Sequence, residues 1–115
     1  MNDLLNRWND DMARAVEQAC QALVQIRNGR AGAGAGTIWH PDGLILTNAH
    51  VASRRGLQVT LPDGRTLPAR VLARDAERDI AALAVEARGL PVIELGDSRG
   101  LRPGQWLLAV GHPWG

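Results

Sequence analysis

The sequence predicts an all-β fold, a small closed barrel of six strands preceded by one helix, and three observations predict it. From Ala22 onward the chain breaks into short apolar runs at regular spacing, divided by turn residues. Two of the breaks carry near-identical turns, His40-Pro41-Asp42-Gly43 and Leu61-Pro62-Asp63-Gly64, where proline presets the turn and glycine supplies a positive φ angle. Before Ala22 the apolar residues instead recur in steps of three and four, the period of a helix.

The helix is expected from about residue 3 to residue 20. Leu5, Trp8, Met12, Val16, Ala19 and Leu23 fall on one face, and Asn2 or Asp3 is placed to cap it. The seam is too short to specify a coiled coil, so it reads as a packing helix docked on the domain or on a partner subunit. The strands follow in order: Leu23–Arg27, Gly34–His40, Leu44–Asn48, Leu57–Leu61, Leu67–Arg74 and Ile80–Val85. Closure into a barrel removes the open edges that six such strands would otherwise expose. The low-complexity stretch Ala31-Gly32-Ala33-Gly34-Ala35-Gly36 runs straight into Thr37-Ile38-Trp39, which favours a strand entry with close neighbours over a flexible linker.

After Val85 the segments Gly89–Leu95 and Gly96–Gly104 are rich in turn formers and read as a connector. Gln105–Val110 is expected as one more strand, broken by Gly111-His112-Pro113-Trp114-Gly115. A lone strand with Trp106, Leu107, Leu108 and Val110 implies further protein to cover it. The expected organisation is a helix over residues 1–20, a barrel lobe over 21–95, and over 96–115 a linker with the opening strand of an incomplete second barrel.

With 115 residues there is enough chain for one domain with a core and too little for two full ones. Thirteen Lys+Arg against twelve Asp+Glu leave a net charge of +1 without long blocks of one sign, which argues against a nucleic-acid partner. All the basic residues are arginine, and Arg54, Arg55, Arg65, Arg70, Arg74 and Arg78 read as a solvated face. Cys20 is the single cysteine, so no intrachain disulfide is expected. The charged residues among Met1–Cys20 interrupt any apolar stretch, so neither a signal peptide nor a membrane span is expected. His40, His50 and His112 are too widely spaced to suggest a metal site, and no cofactor is implied.

The chemistry is carried by Thr47-Asn48-Ala49-His50-Val51 and Arg78-Asp79-Ile80-Ala81-Ala82-Leu83. His50 closes one apolar run and Asp79, 29 positions later, opens another. A barrel that brings them together pairs a general base with a buried carboxylate that fixes its tautomer. Gly34–Ile38, Pro41–Val51, Asp79–Leu83, Leu95-Gly96-Asp97-Ser98 and Gly111–Gly115 occur in the order seen in HtrA (Deg) type trypsin-like serine proteases. From roughly Val16 to its last residue the chain resembles the N-terminal half of that protease domain.

The resemblance implies the first six-stranded barrel of a two-barrel fold, with His50 as catalytic base and Asp79 as its orienting carboxylate. It implies unfolded or exposed polypeptides as substrates, a missing second barrel as partner, a homotrimer, and an extracytoplasmic setting, periplasmic or secreted. The second barrel of such proteases carries the nucleophile in a Gly-x-Ser-Gly-Gly segment, and a PDZ domain often follows. This chain departs from the pattern around Cys20–Ile26, where a Ser-Pro pair is usual, and at His112, where Asn is common. Gly96-Asp97-Ser98-Arg99-Gly100 imitates the nucleophile motif, but Arg99 replaces a glycine and Ser98 follows Asp79 too closely to leave room for the second barrel. The expected activity is therefore a serine endopeptidase present as a fragment, inactive alone. A noncatalytic barrel that binds a partner and one half of a split protease are the alternatives.

Overall fold

Alternation along the strands decides which side chains share the interior. The computed structural model describes residues 2–29, 32–53 and 55–111. Its elements are α1 (Asn2–Cys20), β1 (Leu23–Arg27), β2 (Ala33–His40), β3 (Leu44–Thr47), β4 (Gln58–Thr60), β5 (Thr66–Asp75) and β6 (Ile80–Val85). The six strands close into an antiparallel barrel in the order β1-β2-β3-β6-β5-β4. Val24 and Ile26, Ile38, Ile45, Val59, and Ala81, Leu83 and Val85 point inward and are buried. Each fully buried Ile or Leu contributes roughly 1.5–3 kcal/mol.

Both Pro-Asp-Gly turns form as the sequence predicts. Gly43 N–H donates to the His40 carbonyl at 3.1 Å, and Gly64 N–H to the Leu61 carbonyl at 2.9 Å. Each links paired neighbours, β2 to β3 and β4 to β5. From Ala33 the Ala/Gly stretch is part of β2, and Gly34 and Gly36 are there for space. A Cβ on Gly34 would lie 2.6 Å from Val51, and one on Gly36 would lie 2.8 Å from Ile26. The segment after β6 folds back along β2, with Leu90 N–H on the Pro41 carbonyl and Ile93 N–H on that of Ile38.

β5 carries a bulge. Val71 pairs with Leu83 but Ala73 pairs with Ala82, so Leu72 is the extra residue. Beyond it the pairing runs Arg74 with Ala81 and Asp75 with Ile80.

One expectation is corrected. Gln105–Val110 is irregular, not a strand; among the described residues no strand pairs with it, and an extended run becomes a strand only through such pairing. The helix forms where expected but buries none of its residues, leaving Leu4, Leu5 and Trp8 exposed. Its apolar face meets the tail through Trp8 and Trp106, edge to face with ring centroids 5.7 Å apart. The closing residues His112 to Gly115 lie outside the described residues.

Candidate active site

β3 and β6 are neighbours in the barrel, with Thr47 opposite Ala81. The turn that follows β3 and the turn that precedes β6 therefore meet on one rim. His50 lies in the first and Asp79 in the second. His50 Nδ1 is 2.8 Å from Asp79 Oδ2 and 3.0 Å from Oδ1. The backbone N–H of His50 also donates to Asp79 Oδ1 at 2.9 Å. One carboxylate thus grips both the ring and the main chain of the histidine, which fixes where the ring sits as well as which nitrogen carries the proton.

Within this chain the pair lies at the surface. The His50 side chain is 72% exposed and that of Asp79 43%, so the carboxylate expected to be buried is half-exposed. It sits at the rim, where only the adjacent Ala49, Val51 and Ala52 reach the core. Asp79 also adopts φ +56°, the only positive φ of a non-glycine among the described residues. Aspartate tolerates that left-handed conformation better than most residues, at a cost of about 1–2 kcal/mol. The bonds it makes to His50 offset that cost.

Neighbouring polar groups brace the two turns. Asn48 Nδ2 donates to the Asp79 carbonyl at 3.0 Å, and Arg74 Nε donates to the Ala49 carbonyl at 3.0 Å. The Asn48 carbonyl accepts the N–H groups of Val51 and Ala52, which winds the chain tightly around His50. Asn28 Nδ2 ties the β1–β2 connection to the Val51 carbonyl at 3.1 Å. Thr47 is structural, its hydroxyl donating to the Ala35 carbonyl at 2.7 Å. Asn48 and Arg74 were not legible as site residues: the first is one polar residue in a polar turn, and the second is one arginine among many.

Ser98 stands apart from this rim chemistry. It opens a single exposed 3-10 turn, Ser98–Gly100, capped by the Asp97 carboxylate accepting from the Arg99 N–H. Arg99 completes a local pair with Asp97, Nε to Oδ1 at 2.9 Å. Among the described residues Ser98 makes no side-chain hydrogen bond to His50.

The Asp79 carboxyl is held below its ordinary value of 3.8, first by the His50 N–H and then by the imidazole, against an opposing effect of desolvation. A depressed carboxyl stabilises the fold above the unfolded value and loses that contribution as pH falls through the lower, folded one. Carbon-13 titration of Asp79 is therefore expected to show a midpoint below that of the same residue in the urea-unfolded chain. Equal midpoints would contradict the grip described above.

A closed six-stranded barrel with a histidine–aspartate pair on one rim is a trypsin-like barrel. The chain belongs to the trypsin-like peptidase domain family, whose model matches residues 34–115. Its similarity is to the HtrA and DegP serine proteases, over the N-terminal part of that domain. It is 46% identical over 85 residues to HhoB of Synechocystis sp., which covers 73% of this chain and 20% of HhoB. It is 45% identical over 86 residues to the mitochondrial serine protease HTRA2 of Drosophila pseudoobscura pseudoobscura, covering 72% of this chain and 20% of that protein. With the serine protease HTRA1 of Xenopus tropicalis it shares 40% over 115 residues, 90% of this chain and 25% of the other. The chain thus spans about a fifth to a quarter of the length of these curated relatives. Among the described residues no helix is long and apolar enough to cross a membrane.

Proposed function

We propose that this chain is the base-bearing half of the protease domain of an HtrA-like serine endopeptidase that acts on unfolded or exposed polypeptide. The observation that carries the reading is the Asp79 carboxylate in contact with both the ring and the backbone of His50. With Nδ1–H donated to Asp79, the lone pair of the imidazole lies on Nε2. That nitrogen takes the proton from a serine hydroxyl as its oxygen attacks a peptide carbonyl, and Asp79 stabilises the imidazolium that results. The same proton then passes to the leaving amine. In this reading the serine and the oxyanion donors come from a second barrel, and Ser98 takes no part.

The chain alone is expected to be inactive, because without those groups both the covalent step and its electrostatic stabilisation are missing. Assembly as a homotrimer belongs to the same reading, supported by the exposed Leu4, Leu5 and Trp8 of α1. The test is complementation. Residues 1–115 are mixed with a separately produced second barrel of an HtrA-type relative that carries the Gly-x-Ser-Gly-Gly segment. Hydrolysis of unfolded casein is expected to appear, to survive Ser98→Ala and to vanish with His50→Ala. Cleavage by residues 1–115 alone, abolished by Ser98→Ala, would overturn the reading.

A further inference from the structure

We propose that Arg74 is a positioning residue for the His50–Asp79 pair, acting through the peptide group that joins Ala49 to His50. The proposal rests on the reading of His50 as base and Asp79 as its orienter. The carbonyl that Arg74 holds and the N–H that Asp79 accepts belong to the same peptide unit. Arg74 Nε donates to the Ala49 carbonyl at 3.0 Å, and the His50 N–H donates to Asp79 Oδ1 at 2.9 Å. A peptide group is planar, so fixing the direction of its carbonyl fixes the direction of its N–H. A guanidinium on the carbonyl also draws charge from the amide, and a polarised amide is a stronger donor to the carboxylate. The result is a continuous relay from arginine through one peptide plane to Asp79 and back to the His50 ring.

The sheet places Arg74 for this task through the β5 bulge. With Leu72 as the extra residue, Arg74 stands opposite Ala81 instead of Ile80. Opposed residues share a face of the sheet, so the bulge puts Arg74 on the side of Ala81, with the arginine itself exposed. Thr47 lies opposite Ala81 on its other side, so Arg74, Ala81 and Thr47 form one row across three strands. The small side chain of Ala81 leaves the span open for an arginine to reach from β5 over β6 to the turn after β3. A bulge beside a site that re-aims one side chain is a recurring use of this irregularity.

The bond is also unlike those of neighbouring arginines. Arg65, Arg78 and Arg99 pair with Asp63, Asp75 and Asp97, which lie two or three positions away. Arg74 instead reaches a backbone carbonyl 25 positions away. The pair it serves needs bracing, because one member holds a left-handed backbone.

Nuclear magnetic resonance on the nitrogen-15-labelled chain, residues 1–115, tests this. In Arg74→Ala the His50 amide proton is expected to move upfield and to exchange with solvent about tenfold faster, with amides of β1 and β6 unchanged. Arg74→Lys keeps the charge but removes the planar Nε–H donor, and shifts the same amide to a smaller degree, which keeps the test available if the alanine variant does not fold. An unchanged His50 amide in these variants would overturn the proposal. So would an equal loss of protection through β1 and β6, which marks a residue that merely stabilises the barrel. The measurement needs no second barrel, so its failure and a failure of complementation are separate results.

Discussion

Asp79→Asn is expected to lower kcat of the complemented peptidase by about 10⁴, with KM little changed. The geometry says why so small a change has so large an effect. Asp79 Oδ1 accepts the His50 N–H, and Oδ2 makes the shorter contact to the ring at 2.8 Å. Asparagine has one carbonyl oxygen. If that oxygen keeps the backbone bond, its NH₂ group takes the place of Oδ2 and presents a donor to Nδ1. The ring then carries its proton on Nε2, and the nitrogen that should act as base has no lone pair to offer. Asparagine also tolerates the φ of +56° found at Asp79, so the fold is expected to survive, as a cooperative urea transition with a somewhat lower midpoint would show. A loss of less than tenfold in kcat would remove Asp79 from the role of orienter.

Gly43→Ala is expected to destabilise the barrel by about 3 kcal/mol or more, while Gly64→Ala costs about 1 kcal/mol. Both glycines close a Pro-Asp-Gly turn with positive φ, +104° at Gly43 and +94° at Gly64. Their surroundings differ. A Cβ on Gly64 would meet nothing within 4 Å. One on Gly43 would run into the backbone carbonyl of Val85, and Gly43 is already fastened there, its own carbonyl accepting the Val85 N–H at 3.0 Å. Relief would require moving the end of β6, whose inward residues are part of the core. Urea unfolding of the two variants checks the contrast, and equal losses would mean that the Val85 approach has no energetic consequence.

The twin turns show how far local signals reach. Pro-Asp-Gly names a turn wherever it stands, because its conformational preferences belong to the residues themselves. The same holds for the period of the apolar residues in α1 and for β1 and β6, whose observed ends coincide with the expected ones. His50 and Asp79 were legible for a related reason, each sitting at the end of an apolar run where a barrel rim must fall. Gln105–Val110 misled because its composition suits a strand while strand identity depends on a partner. The helix shows a related limit: amphipathicity specifies a face, not what covers it.

Turn chemistry, strand periodicity and the location of the histidine and the aspartate on a rim were thus settled within a few residues of chain, by conformational preference and hydrophobic alternation. Three other properties came from pairing across the barrel. Register after the β5 bulge set Arg74 opposite Ala81, the passage of β6 beside Gly43 separated two like glycines, and the meeting of the two rim turns set the Asp79 carboxylate against both the ring and the backbone of His50. Each depends on which distant strands lie side by side, and a single added residue such as Leu72 changes the outcome by reversing every side chain beyond it.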